Sequence, residues 1–66
     1  MPKQPLPDPT PETIASTRER GGDTMEEAAE RVHVDRTVWW KWEKGKTGMP
    51  LAAWELYLLK KGMRQL

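Results

Sequence analysis

Residues 24–50, TMEEAAERVHVDRTVWWKWEKGKTGMP, carry two short helical patterns separated by a break, and the reading of that break decides the fold. Thr24 and Glu27 have the spacing of a capping box, and Asp23, Glu26 and Glu27 crowd the positive end of a helix dipole, so a helix is predicted to start here. Ala28, Ala29 and Val32 recur at helical spacing on one side, whereas Glu26, Glu27, Glu30 and Arg31 are expected to face out. The small side chain of Ala29 allows a second helix to cross close to this one's backbone. His33 and Val34 interrupt the pattern, and Asp35 is suited to cap a second helix over residues 36–44, stopped by Gly45. A connection of about three residues forces a steep crossing, with Val34 as a plug between the helices. Trp39 and Trp42, three apart, are assigned to the buried side, which leaves Arg36, Thr37, Trp40, Lys41 and Lys44 projecting outward.

C-terminal to this stretch, Lys46 to Met49 read as a loop. Pro50 starts a last helix running to about Lys60, where Lys60, Lys61 and Gly62 supply cations and a stop. Two apolar stripes run along it, Leu51, Trp54 and Leu58 on one side and Ala52, Leu56 and Leu59 on the other. One stripe closes the core. The other is more apolar surface than a small monomer leaves exposed, so either the Trp-rich helix before it or a second subunit is expected to cover it, with Tyr57 or Leu66 near such an interface. N-terminally, a short helix is predicted from Glu12 to about Arg20, with Thr10 as cap, Pro11 at the first helical position and Gly21-Gly22 as its end. Ile14, Ala15 and the Thr17 methyl are its only core-facing groups, so tertiary contacts must hold it.

Five of the six prolines fall within the first eleven residues, which predicts a disordered Pro-rich arm over 1–11, a folded domain over 12–62 and a frayed end over 63–66. Sixty-six residues leave room for one small all-helical domain and no second, catalytic one. With no cysteine there is neither a disulfide nor a thiolate metal site, and a single histidine, His33, builds no imidazole cage. One histidine, one serine (Ser16) and solvated acids offer no nucleophile–base pair, so no enzyme, cofactor or small-molecule substrate is expected. No apolar run approaches the roughly 18 residues of a bilayer span, and the N-terminal MPKQPLPDP has no signal-peptide core; a cytoplasmic protein without a membrane partner is expected. The net charge of +1 conceals a polarity, because residues 1–35 hold four basic against eight acidic side chains and residues 36–66 hold seven against two. A basic half on a nearly neutral chain points to one face that attracts polyanions.

Over about residues 13–60 the sequence resembles the helix-turn-helix domain of the Cro/C1-type (Xre-like) repressors of phages and plasmids. Thr24, Met25, Ala29, Val34 and Trp42-Glu43-Lys44-Gly45 occupy the places of that motif's opening Thr/Ser and Gln, its crossing Ala, its post-turn hydrophobe and its closing Trp-Glu-x-Gly, with Pro50 at the start of the next helix. His33 stands where the family has a turn glycine, Met25 where it has a phosphate-touching Gln, and Asp23 where it has an apolar residue. The resemblance implies a four-helix, lambda-repressor-like bundle that binds double-stranded DNA as a small transcriptional repressor, a homodimer through the last helix on a pseudo-palindromic operator, bacterial and nucleoid-associated when bound. It assigns base reading to Arg36, Thr37, Trp40 and Lys41, phosphate contact to Met25, Lys44, Lys46 and Thr47, and scaffold roles to Ala29, Val34, Trp39, Trp42 and an Arg18–Glu43 pair. Two other outcomes fit the same residues: an excisionase-like or antitoxin-like DNA-binding module, and a protein-interaction module that keeps the helical shell and docks through Trp40 and the last helix.

Overall fold

Each helix of the protein ends where its sequence supplies a residue for a left-handed turn. The computed structural model describes residues 8–62. They form α1 (Pro11–Arg20), α2 (Met25–Arg31), α3 (Arg36–Glu43) and α4 (Leu51–Lys60), with no strand among the described residues. The boundary after α1 illustrates the device. Beyond its cap Gly21, the Gly22 N–H donates to the Glu19 carbonyl at 3.0 Å and the Asp23 N–H to the Arg18 carbonyl at 3.2 Å, with Gly22 at φ +76°. The same pair of bonds closes α2, where His33 N–H donates to Glu30 at 3.2 Å and Val34 N–H to Ala29 at 3.0 Å. It closes α3 as well, where Gly45 N–H donates to Trp42 at 3.3 Å and Lys46 N–H to Lys41 at 2.9 Å. His33 takes the left-handed position at φ +60°, the one residue other than glycine to do so among those described. It thus fills the conformational place of a glycine and sets the four-residue connection, residues 32–35, between α2 and α3.

The helix starts follow the sequence with two differences. Thr10 Oγ1 accepts the Thr13 N–H at 3.2 Å ahead of Pro11, and both halves of the Thr24–Glu27 capping box form, at 3.1 and 2.9 Å. Asp35 occupies the cap position of α3, but its carboxylate accepts no backbone N–H, so the expected side-chain cap is absent. Pro50 caps α4 instead of opening it, and Lys44 is the cap of α3 rather than its last residue. Structure also begins earlier than the expected domain boundary, since Pro11 is helical and Thr10 N–H bonds to the Asp8 carbonyl at 2.8 Å. The expected disorder of residues 1–7 and fraying of residues 63–66 lie outside the described residues.

Packing centres on Trp39, which is fully buried. Its ring meets Trp42 edge-on at 5.6 Å and Tyr57 at 5.0 Å between centroids, within the range where aromatic pairs attract beyond simple burial. Ile14 and Thr17 from α1, Ala28, Ala29 and Val32 from the α2 region, Met49, and Trp54, Tyr57 and Leu58 from α4 complete the interior. α3 packs on both α1 and α2, and α4 packs on α2. On α4 the inner face is therefore Trp54, Tyr57 and Leu58, whereas Leu51, grouped by spacing with Trp54 and Leu58, is 57% exposed and stands outside the core. Tyr57 is wholly buried and so forms no part of an outer face. Its burial is affordable because its hydroxyl has a partner inside.

That partner is Asp23, whose side chain is 4% exposed. Asp23 Oδ2 accepts from the Tyr57 hydroxyl and from Arg31 Nε, each at 2.9 Å, and Oδ1 accepts from Arg31 Nη2 at 3.3 Å and Lys61 Nζ at 3.2 Å. Lys61 also donates to the Gly21 carbonyl at 3.0 Å. Arg31, expected to face solvent, instead turns back along its helix to this carboxylate. Burial alone pulls the Asp23 pKa up, but hydrogen bonds from Arg31, Tyr57 and Lys61 outweigh it and hold the group below its ordinary value. A second clasp joins α1 to α3. Arg18 Nε and Nη2 donate to the two Glu43 carboxylate oxygens at 2.5 and 3.2 Å, Arg18 Nη1 donates to the Asp23 carbonyl at 3.0 Å, and the Trp39 indole N–H donates to Glu43 Oε2 at 2.5 Å. Among the described residues no buried side-chain polar atom is left without a partner.

Three stability measurements test these assignments. Arg18→Ala leaves Glu43 nearly buried with its countercharge gone, and is expected to cost about 2–3 kcal/mol in denaturant unfolding; an unchanged midpoint removes the clasp from the account. Because the Asp23 pKa is lowered on folding, its contribution is complete above the unfolded-state value near 3.8 and is lost as pH falls below it. The stability gap between the wild-type chain and Asp23→Asn is therefore expected to be widest near neutral pH and to close in acid; a gap independent of pH contradicts the assignment. At His33, a β-branched residue resists the left-handed backbone, so His33→Val is expected to lose about 1–2 kcal/mol while His33→Gly keeps wild-type stability; equal melting of the two variants contradicts the turn role.

Candidate nucleic-acid interface

Burying Trp39 and Trp42 determines what the rest of α3 presents. With those rings inward, Arg36, Thr37, Trp40 and Lys41 are all exposed on the opposite side of the helix, and Val38 lies half-buried at its margin. The turn that closes α3 carries the chain past Lys44, Lys46 and Thr47, which are also exposed. The base-reading and phosphate-contacting positions named from the sequence thus form one continuous run from the start of α3 into the following loop, Met25 excepted. Met25, at the first position of α2, packs half-buried against the core, and its thioether has no N–H or O–H to offer an anion. Its place in the phosphate set is filled by packing.

The cations divide into two groups by partner. Arg18, Arg31 and Lys61 are tied to Glu43 and Asp23. Arg36, Lys41, Lys44 and Lys46 form no ion pair with any other described residue, and neither do Arg20 on α1 and Lys60 on α4; the four differ from those two in lying together on one helix and the loop that follows it. Among the exposed acids, Glu26, Glu27 and Glu30 sit on α2, Asp35 immediately precedes α3, and Glu12 follows Pro11, whose ring lies against the Gly45 turn. Such a surface suits a ligand with regularly spaced negative charge.

A shallow depression of about 390 Å³ lies elsewhere, lined by Glu27, Glu30, Arg31 and Lys60. Beside it Lys60 Nζ stands 3.3 Å from His33 Nε2. Its lining holds acids and bases of the helix surface and no nucleophile next to a base. Among the described residues no cluster of three His, Asp or Glu side chains is arranged to hold a metal ion, and no helix is long and apolar enough to cross a membrane.

The residues that sequence reasoning missed are those of the Asp23 cluster. Asp23 reads as one more acid at a helix start, and Arg31 as a solvated charge; nothing local shows that Tyr57, thirty-four positions away, returns to meet them. The only sequence signal was negative, an acid at a position where the resembled family has an apolar residue. Neither a comparison with protein-family models nor one with curated proteins finds a match to this chain.

Proposed function

We propose that this chain is a sequence-specific double-stranded-DNA-binding regulator of the Cro/C1 type, in which α2 and α3 act as a helix-turn-helix and α3 enters the major groove. The observation that carries this reading is the outward face of α3, where four exposed side chains able to contact base edges are continuous with a loop of unpaired cations. Arg36, at the first turn of the helix, donates two bonds to the O6 and N7 of a guanine. Thr37 and Lys41 contact neighbouring bases, and Lys44, Lys46 and Thr47 hold phosphates and fix the register. The Arg18–Glu43–Trp39 clasp serves this surface by holding the rotation of α3 about its own axis.

One such helix reads only a few base pairs, so operation as a homodimer on a pseudo-palindrome accompanies the proposal. The last helix is the proposed interface: Leu51 and Ala52 are exposed and Leu56 and Leu59 are half-buried, an apolar surface left over after Trp54, Tyr57 and Leu58 have filled the core. In this reading the protein is a cytoplasmic repressor without catalytic activity.

Selection from random duplex DNA followed by sequencing tests the proposal, and a single enriched inverted repeat is the expected result. On that repeat, Lys44→Ala and Lys46→Ala are each expected to weaken binding to every sequence and to reduce the salt slope by about one. Arg36→Ala is expected to relax preference at one base pair at a cost of about 1–3 kcal/mol. An equal loss for Arg36→Ala on all duplexes contradicts base reading, and salt-independent binding to a protein with no enriched duplex overturns the reading as a whole.

A further inference from the structure

Trp40 departs from the pattern of its neighbours. It is 38% exposed, against 0% for Trp39 and Trp54 and 5% for Trp42. Around it on the helix surface are Arg36 and Thr37, one turn before, and Lys44, one turn after. An apolar ring among unpaired cations is poorly matched to an apolar protein surface, which would strip water from those cations and give them no partner. It is well matched to a polyanion that presents an apolar group. In the major groove of DNA that group is the C5-methyl of thymine, with guanine acceptors beside it for Arg36 and phosphates at the groove's edge for Lys44.

We propose that Trp40 is a specificity-determining residue that reads the C5-methyl group of one thymine, within two base-pair steps of the guanine assigned to Arg36. The inference rests on the DNA reading given above and names what that surface recognises. Four helical residues advance about 6 Å, and stacked bases are about 3.4 Å apart along a strand. A helix lying along the groove therefore sets Arg36 and Trp40 over bases no more than two steps apart. The indole is rigid, with two side-chain torsions to restrain, so holding it against a methyl group sacrifices little freedom. Cytosine and deoxyuridine present no methyl at this point, which makes the contact a discriminator and not merely an adhesive.

The test uses the full chain on the duplex it selects from a random pool. Each thymine is replaced singly by deoxyuridine, which removes the methyl and keeps every hydrogen-bonding group, and binding is titrated for the wild-type chain, Trp40→Ala and Trp40→Phe. One thymine per half-site is expected to matter: loss of its methyl weakens the wild type about fourfold, the value of burying one such group. Trp40→Phe is expected to keep that sensitivity, and Trp40→Ala to bind the thymine and deoxyuridine duplexes equally while retaining the helical circular dichroism of the wild type. A wild-type chain indifferent to every replacement on a duplex it selects overturns the methyl reading and leaves the DNA reading standing. So does undiminished sensitivity in Trp40→Ala. Failure to select any duplex overturns both.

Discussion

The Glu43 carboxylate is the group on which the arrangement of α3 depends. It ends that helix, accepts the indole N–H of Trp39 one turn earlier, and receives both arms of the Arg18 fork from α1. A helix of eight residues has little intrinsic stability in water, and its rotation about its axis is set only by what it packs against. Trp39 and Trp42 turn one side inward by burial, which is strong but non-directional. The carboxylate adds direction, because an indole N–H and a guanidinium fork satisfy it in one geometry only. A buried ion pair adds little net stability over well-packed apolar side chains, so its value here lies in fixing orientation.

Asp23 does the corresponding work for α4. It sits in the turn after α1, yet it collects the Tyr57 hydroxyl and Lys61 from the far end of the chain together with Arg31 from α2. Burial, with the hydrogen bond to Asp23 and that carboxylate's charge, pushes the Tyr57 phenol well up, which favours the protonated hydroxyl that donates to Asp23. A large aromatic with a polar tip can then be completely buried, and the face of α4 that meets the core shifts to Trp54, Tyr57 and Leu58. The two clasps share Arg18, which also donates to the Asp23 carbonyl, so α1, α3 and the turn leading into α2 are linked through one guanidinium.

These clasps also separate the charges. Arg18, Arg31 and Lys61 are paired with Glu43 and Asp23, whereas the cations of α3 and the loop beyond it, like Arg20 and Lys60, pair with no described acid. A net charge of +1 is thereby compatible with a locally cationic surface. For the proposed DNA contact this means that the sequence-independent attraction and the base-edge groups lie on one side of a single helix, whose orientation is set by residues that never touch the ligand.

Local rules made much of this legible in advance. Thr10, the Thr24–Glu27 box, Gly45 and Gly62 mark helix ends by backbone chemistry that acts over three or four residues, and the three-residue spacing of Trp39 and Trp42 assigns the inner face of α3, hence the outer run of Arg36, Thr37, Trp40 and Lys41. His33 was recognisable as a turn residue because its neighbours already signalled a break. Other features were settled only when distant segments met. Whether Arg31 faces water or a carboxylate, whether Tyr57 lies inside or outside, and that Leu51 is left in the open all depend on pairings between residues eight to thirty-eight positions apart. Periodicity reports which residues share a face of one helix; it carries no information on which buried polar group will find its partner across the core, and that pairing decided the interior of this protein.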